Sequence, residues 1–155
     1  MTDTVDRATR SRIMAKVLSK NTSPELAVRR AIHSAGHRFQ LYRDDLPGRP
    51  DLVFPRHKLA VFVHGCFWHG HNCKRFRMPS THSTYWKKKI HRNKQRDKRA
   101  AAMLRARGWK RVVIWECKLA QGIDHLRSKL ALLRRGSPRL STANEKVRAK
   151  RKFKT

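Results

Sequence analysis

The sequence predicts an α/β sandwich, with a mixed central sheet flanked by helices, on three observations. Amphipathic stretches of helical period end at glycines, Gly36 and Gly108. Two short apolar runs, Asp51 to Phe54 and Leu59 to His64, are separated by the turn Pro55-Arg-His-Lys58. A near-continuous apolar run, Arg111 to Cys117, follows the second helical stretch. The order helix, hairpin, helix, strand, helix in a chain of 155 residues fits one domain with a single sheet.

Taken in order, residues 1–21 form a basic arm in which Arg7, Arg10, Arg12, Lys16 and Lys20 surround Ile13, Met14, Val17 and Leu18. It reads as a marginal helix or a DNA-binding arm that orders on its partner. The folded domain spans 22–135. Its first helix runs from about Ser23 to Ala35, capped by Thr22 or Ser23, with Pro24 in the first turn and Glu25 completing a Thr-x-x-Glu capping box. Leu26, Val28, Ile32 and Ala35 are its expected buried residues. In the hairpin, pairing Phe54 with Leu59 sets Asp51 opposite Phe62, beside Val63 and His64. A second helix, about Ser83 to Arg107, carries Trp86, Ile90, Asp97, Ala101 and Leu104 on one face. The third strand is expected to be central and buried, with Trp109 and Trp115 in the core. A last helix covers Ile123 to Leu133, and 136–155 is a basic tail expected to be disordered.

Charge narrows the partner. Thirty-nine Lys and Arg against ten Asp and Glu leave a net +29, which calls for a polyanion. No apolar stretch approaches the roughly 20 residues that span a bilayer, so nucleic acid fits better than a membrane. The opening residues carry no secretory-type apolar run, and the expected location is the cytoplasm, in association with a prokaryotic nucleoid. Three cysteines in that compartment read as metal ligands or free thiols.

Between 64 and 73 stand His64, Cys66, His69, His71 and Cys73, with Cys117 at the end of the third strand. Cys66, His71, Cys73 and Cys117 supply the four thiolate and imidazole donors of a closed structural zinc site, buried unligated thiols being the alternative. His64 and His69 stay outside that set and can move protons near neutral pH. Asp97 is the candidate to orient His69. Asp51 either binds magnesium, as a hydrolysed phosphodiester requires, or caps a turn after Pro50. Glu25 is explained by its capping box. Phe67 and Trp68, in the metal-pinned loop, suggest base stacking or wedging; Trp86 either joins them or belongs to the core.

The blocks Leu46-Pro-Gly-Arg-Pro-Asp51, Val63-His-Gly-Cys-Phe-Trp-His69 with His71 and Cys73, Arg96-Asp97 and Ile114-Trp-Glu-Cys117 resemble the very short patch repair endonucleases. Ala8-Thr-Arg-Ser11, Met14 and Glu25 extend the resemblance over roughly 7 to 120. It implies a restriction-endonuclease-like fold and a magnesium-dependent nick 5′ to the thymine of a T·G mismatch, formed by deamination of 5-methylcytosine. By resemblance, Asp51 and the main chain of Val63 bind the catalytic magnesium, expected as two ions, and Glu25, His64, His69 and Asp97 complete the active site. Cys66, His71, Cys73 and Cys117 hold structural zinc. Phe67, Trp68 and Trp86 wedge beside the mismatch from the major groove, and the arm near Met14 enters the minor groove. The implied partner is mismatched duplex DNA, bound by a monomer, with other repair proteins as further partners. Position 63 is Val where family members often carry Thr, and the second acid and lysine usual in restriction-enzyme-like folds are absent. The alternatives are a non-catalytic zinc-containing nucleic-acid-binding protein and a metal-dependent nuclease without mismatch specificity.

Overall fold

The computed structural model describes residue 9 and residues 20–136, so Met14 and the tail beyond 136 lie outside the described residues. Element order is α1 (Ser23–Ser34), β1 (Leu52–Phe54), β2 (Leu59–His64), α2 (Ser83–Ala106), β3 (Lys110–Trp115) and α3 (Leu119–Gly136). The strands form a mixed sheet in the order β1-β2-β3. β1 and β2 pair antiparallel, Phe54 with Leu59 and Leu52 with Val61, and the Asp51 N–H donates to the Val61 carbonyl at 2.9 Å. Asp51 thus sits where antiparallel counting puts it. A single 3-10 turn, Pro55–His57, closes the hairpin, with Lys58 in the left-handed region.

β2 and β3 run parallel, joined by α2. Helices cover both faces. Val28 and Ile32 of α1, with Leu126 and Leu130 of α3, pack on Leu52, Leu59, Val61, Val112 and Ile114. On the other face Leu104 of α2 packs with Leu46, Val53, Ala60 and Phe62. Burying these apolar side chains, at about 1.5–3 kcal/mol for each of the larger ones, is what holds the layers together.

Several expectations need correction. β2, not β3, is the central strand; it is flanked on both sides and nearly all buried, whereas β3 alternates, burying Val112 and Ile114 while Val113 and Trp115 are half-buried. A run of apolar residues cannot by itself tell a strand covered on both faces from one whose second face borders a groove. β3 also ends at Trp115, and a 3-10 turn, Glu116–Lys118, takes Cys117 off the strand. α1 ends one residue early, leaving Ala35 exposed and Leu26 half-buried; Gly36, at φ 80°, ends the turn. On α2 the buried face is Trp86, Ile90, Asn93, Ala100 and Leu104, so Ala100 takes the place expected for Ala101. α3 is longer than expected at both ends.

Candidate active site and metal centre

Side chains alternate along a strand. Phe62 and His64 therefore face α2 with Ala60, and Val113 and Trp115 do so across the parallel pair, where His64 is the registered neighbour of Trp115. The mouth of this face is a groove of about 1100 Å³ lined by Glu25, Asp51, His64, His69 and Asp97, residues drawn from four separate segments. Arg49, Arg96 and Arg111 also line it, supplying cations for a phosphate backbone.

The Asp51 carboxylate is held by its own hairpin, with Oδ2 accepting the Val63 N–H at 2.7 Å. Burial pushes its pKa up to about 6; the Val63 N–H opposes the shift and the negative charge of Glu25 adds to it. A half-buried carboxylate in that condition gains most from a bound cation, so the site fits a hard divalent ion. Glu25 is buried. Rather than forming a complete capping box, it accepts from the Asn21 N–H at 2.9 Å, the Thr22 hydroxyl at 2.8 Å and Arg29 Nη2 at 3.2 Å. The Thr22 side chain makes no cap bond to the helix backbone.

His69 Nδ1 donates to Asp97 Oδ2 at 2.6 Å, which fixes the ring and leaves Nε2 as the proton-accepting nitrogen. His64 stacks on it with centroids 3.7 Å apart and planes 6° apart. Burial, helped by the neighbouring His69, pushes the His64 pKa down to about 4, so the ring is neutral at physiological pH. His64, His69 and Asp97 lie close enough to suggest a metal trio. The parallel stack argues otherwise, because one ion cannot lie in the planes of two rings separated by 3.7 Å. The arrangement is one that can handle a proton.

The cysteines form a second cluster behind the groove. One donor atom each from Cys66, His71, Cys73 and Cys117 lies within 4.8 Å of the others. His71 Nδ1 is 3.7 Å from Cys66 Sγ and 3.3 Å from Cys117 Sγ. Tetrahedral zinc bonds imply a sulfur–nitrogen separation of about 3.6 Å, so the four donors fit the ion. Burial pushes the Cys66 thiol up to about 12, which is a reason for a metal to be needed to hold it as thiolate. Gly70, at φ 57°, lets the loop lie against α2: a Cβ there would meet Ile90 Cγ2 at 2.6 Å.

Phe67, Trp68 and Trp86 do come together, with centroids 5.1 to 6.0 Å apart, but they are not freely exposed. They cover one another, Trp86 being buried and the other two half-buried, while Trp68 also lines the groove. Lys89 Nζ lies 5.2 Å from the Trp68 ring centroid and 5.5 Å from that of Trp86.

Sequence reasoning missed four residues. Asn93 donates to the Trp68 carbonyl at 2.8 Å and accepts from Arg96; a polar residue on an apolar helix face carries no signal until the loop opposite is known. Glu116 accepts from the Cys66 N–H at 3.4 Å and from Arg75 at 3.2 Å. Arg29 pairs with Glu25, one helical turn along, a spacing visible in the sequence. Trp115, expected in the core, stacks on His71 at 4.1 Å and 7°.

Acid, histidine and arginine in one groove of an α/β domain, with a Cys/His donor set that fits a metal ion, suit a hydrolase acting on nucleic acid. Comparison with known proteins narrows the class. The family described as DNA mismatch endonuclease Vsr matches residues 2–75. A protein of Xanthomonas oryzae pv. oryzae named type II nicking enzyme V.XorIIP is 51% identical over 120 residues, spanning 77% of this chain and 88% of that one. The DNA mismatch endonuclease Vsr of Escherichia coli is 38% identical over 119 residues, spanning 77% and 76%. A type II nicking enzyme of Neisseria meningitidis, V.NmeAIP, is 39% identical over 119 residues, spanning 77% and 85%. The chain belongs to the Vsr family of DNA mismatch endonucleases, whose fold is restriction-endonuclease-like. It is therefore a DNA endonuclease that works with a metal ion. No helix among the described residues is long and apolar enough to cross a membrane.

Proposed function

We propose that this endonuclease nicks one strand of duplex DNA 5′ to the thymine of a T·G mismatch, beginning repair of deaminated 5-methylcytosine. The observation that supports it most is the His69–Asp97 pair, 2.6 Å apart, in the same groove as Asp51. Together they provide, in one groove, a ring placed to handle a proton and a carboxylate whose pKa is raised to about 6. Magnesium, as two ions, is the proposed catalytic metal, held by Asp51 and the main chain of Val63. Bound there, it supplies charge neutralisation at the phosphate and a more acidic water. Glu25 fixes the helix start beside Asp51 and adds negative charge to the site. Asp97 holds the His69 tautomer, and His69 and His64 accept and return the proton at the attacking and departing oxygens. Zinc at Cys66, His71, Cys73 and Cys117 pins the loop carrying Phe67 and Trp68, which, with Trp86, wedge beside the mismatched pair. The basic arm, with Met14, reaches the minor groove. The protein acts as a monomer in the cytoplasm of a prokaryote.

Asp51→Ala tests the assignment. It is expected to reduce nicking by about 10³-fold or more while duplex binding, measured by titration, stays within a few fold. Cleavage near the parental rate would remove Asp51 from the site.

A further inference from the structure

Trp115 occupies a place that the proposed chemistry leaves without a role. One face of its indole lies parallel to the ring of His71, a donor of the cysteine cluster, at 4.1 Å and 7°. The same indole meets His64 edge-on at 5.3 Å and 77°, and His69 at 6.3 Å and 74°. Those two histidines are themselves stacked in parallel. Four rings thus form a continuous contact from the metal-ligand cluster to the pair assigned the proton transfer. Backbone register supports it, because His64 and Trp115 are paired neighbours on β2 and β3, and Cys117 follows two residues after the indole. Asp97 fixes His69 from one side through its Nδ1, but no hydrogen bond to the His64 ring is present among the described residues. The orientation of that ring is left to its aromatic neighbours: His69, Trp115 and Phe62, the last at 5.9 Å.

We infer that Trp115 is a positioning residue: its indole sets the angle of the His64–His69 stack and ties it to the cysteine cluster, so that ordering of the cluster governs cleavage rate as well as stability. An aromatic plane constrains a neighbouring ring in angle as well as distance, whereas an aliphatic side chain of similar volume constrains distance alone. Small misplacements of a proton-transfer group are costly in rate. The inference rests on the reading that His64 and His69 move the proton.

The test uses Trp115→Leu and Trp115→Met, which fill space without a plane, and Trp115→Phe, which restores one. Three quantities are measured on the full chain: zinc bound per chain, the ring Hε1 resonances of His64 and His69, and kcat and KM on a T·G duplex. The expected result for Leu and Met is parental zinc content, displaced resonances of both histidines, and kcat lower by about 10-fold at unchanged KM, with Phe recovering most of the loss. Parental resonances and kcat in a folded, zinc-loaded variant would overturn the inference. A loss carried by KM alone, by departed zinc, or by failure of both aliphatic variants to fold would also overturn it. If the parent protein itself did not nick the duplex, the activity reading would fail, and the resonances would still decide what Trp115 positions.

Discussion

Ten residues, His64 to Cys73, feed two clusters of opposite character. Cys66, His71 and Cys73 turn back toward Cys117 and converge on one point, as a closed tetrahedral centre requires. His64 and His69, interleaved with them, turn into the groove and stack in parallel, a geometry that keeps their lone pairs apart. Convergence suits the proposed metal staple. Divergence leaves each ring free for the proposed proton transfer, with Asp97 fixing one of them. Residue type alone does not sort a Cys/His-rich stretch into two clusters; the partners each residue finds on other elements do.

The largest expected effect breaks the staple. Cys117→Ser leaves three donors, and the variant is expected to lose stoichiometric zinc and to fall in Tm by on the order of 10 °C, with cleavage lost alongside. Elemental analysis and a thermal melt check it, and full zinc retention would contradict the assigned donor set. Next comes the groove's own orienting bond. Asp97→Asn should lower kcat by about 10–100-fold at unchanged KM while zinc content stays parental, separating the two clusters in one variant.

A smaller effect is expected at the loop both clusters hold. Phe67→Ala combined with Trp68→Ala should reduce the preference for T·G over T·A duplexes by about 10-fold, read from relative kcat/KM; unchanged preference would remove the wedge. The smallest is a stability change that follows from burial of Asp51. Its pKa of about 6 in the fold lies above the ordinary 3.8, so its contribution is fully present below pH 3.8 and lost as pH rises through 6. In magnesium-free buffer, Asp51→Asn should therefore be more stable than the parent at pH 8, on the order of 1–3 kcal/mol, with the difference vanishing near pH 4. His64 runs the other way: its pKa near 4 costs stability as pH falls below about 6.5, in parent and variant alike, and cancels from the difference. Melts at the two pH values decide it.

Much of this was legible beforehand because local constraints are strong. Pairing Phe54 with Leu59 across the four-residue turn is the register the strands adopt, and it sets Asp51 against Val63. All three cysteines fall into one donor set, and periodicity puts Asp97 on the helix face of Ile90 and Leu104, where it was the candidate partner of His69. What stayed hidden depended on contacts between distant segments. Trp115 looked like core because an apolar strand does not announce which face borders a groove. Asn93, a polar residue on the buried face of α2, carried no signal because its partner, the Trp68 carbonyl, comes from a distant loop. Glu25 looked fully explained by a capping box, whereas its carboxylate is shared among Asn21, Thr22 and Arg29 beside the acid of the groove.

Whether this groove cuts mismatched DNA with a hard metal is decided by strand-resolved nicking of labelled duplexes bearing a T·G mismatch or the matched T·A pair, with magnesium and separately with EDTA. A magnesium-dependent nick 5′ to the mismatched thymine, confined to the T·G duplex, is the predicted result; binding to both duplexes without cleavage, across several flanking sequences, would contradict it.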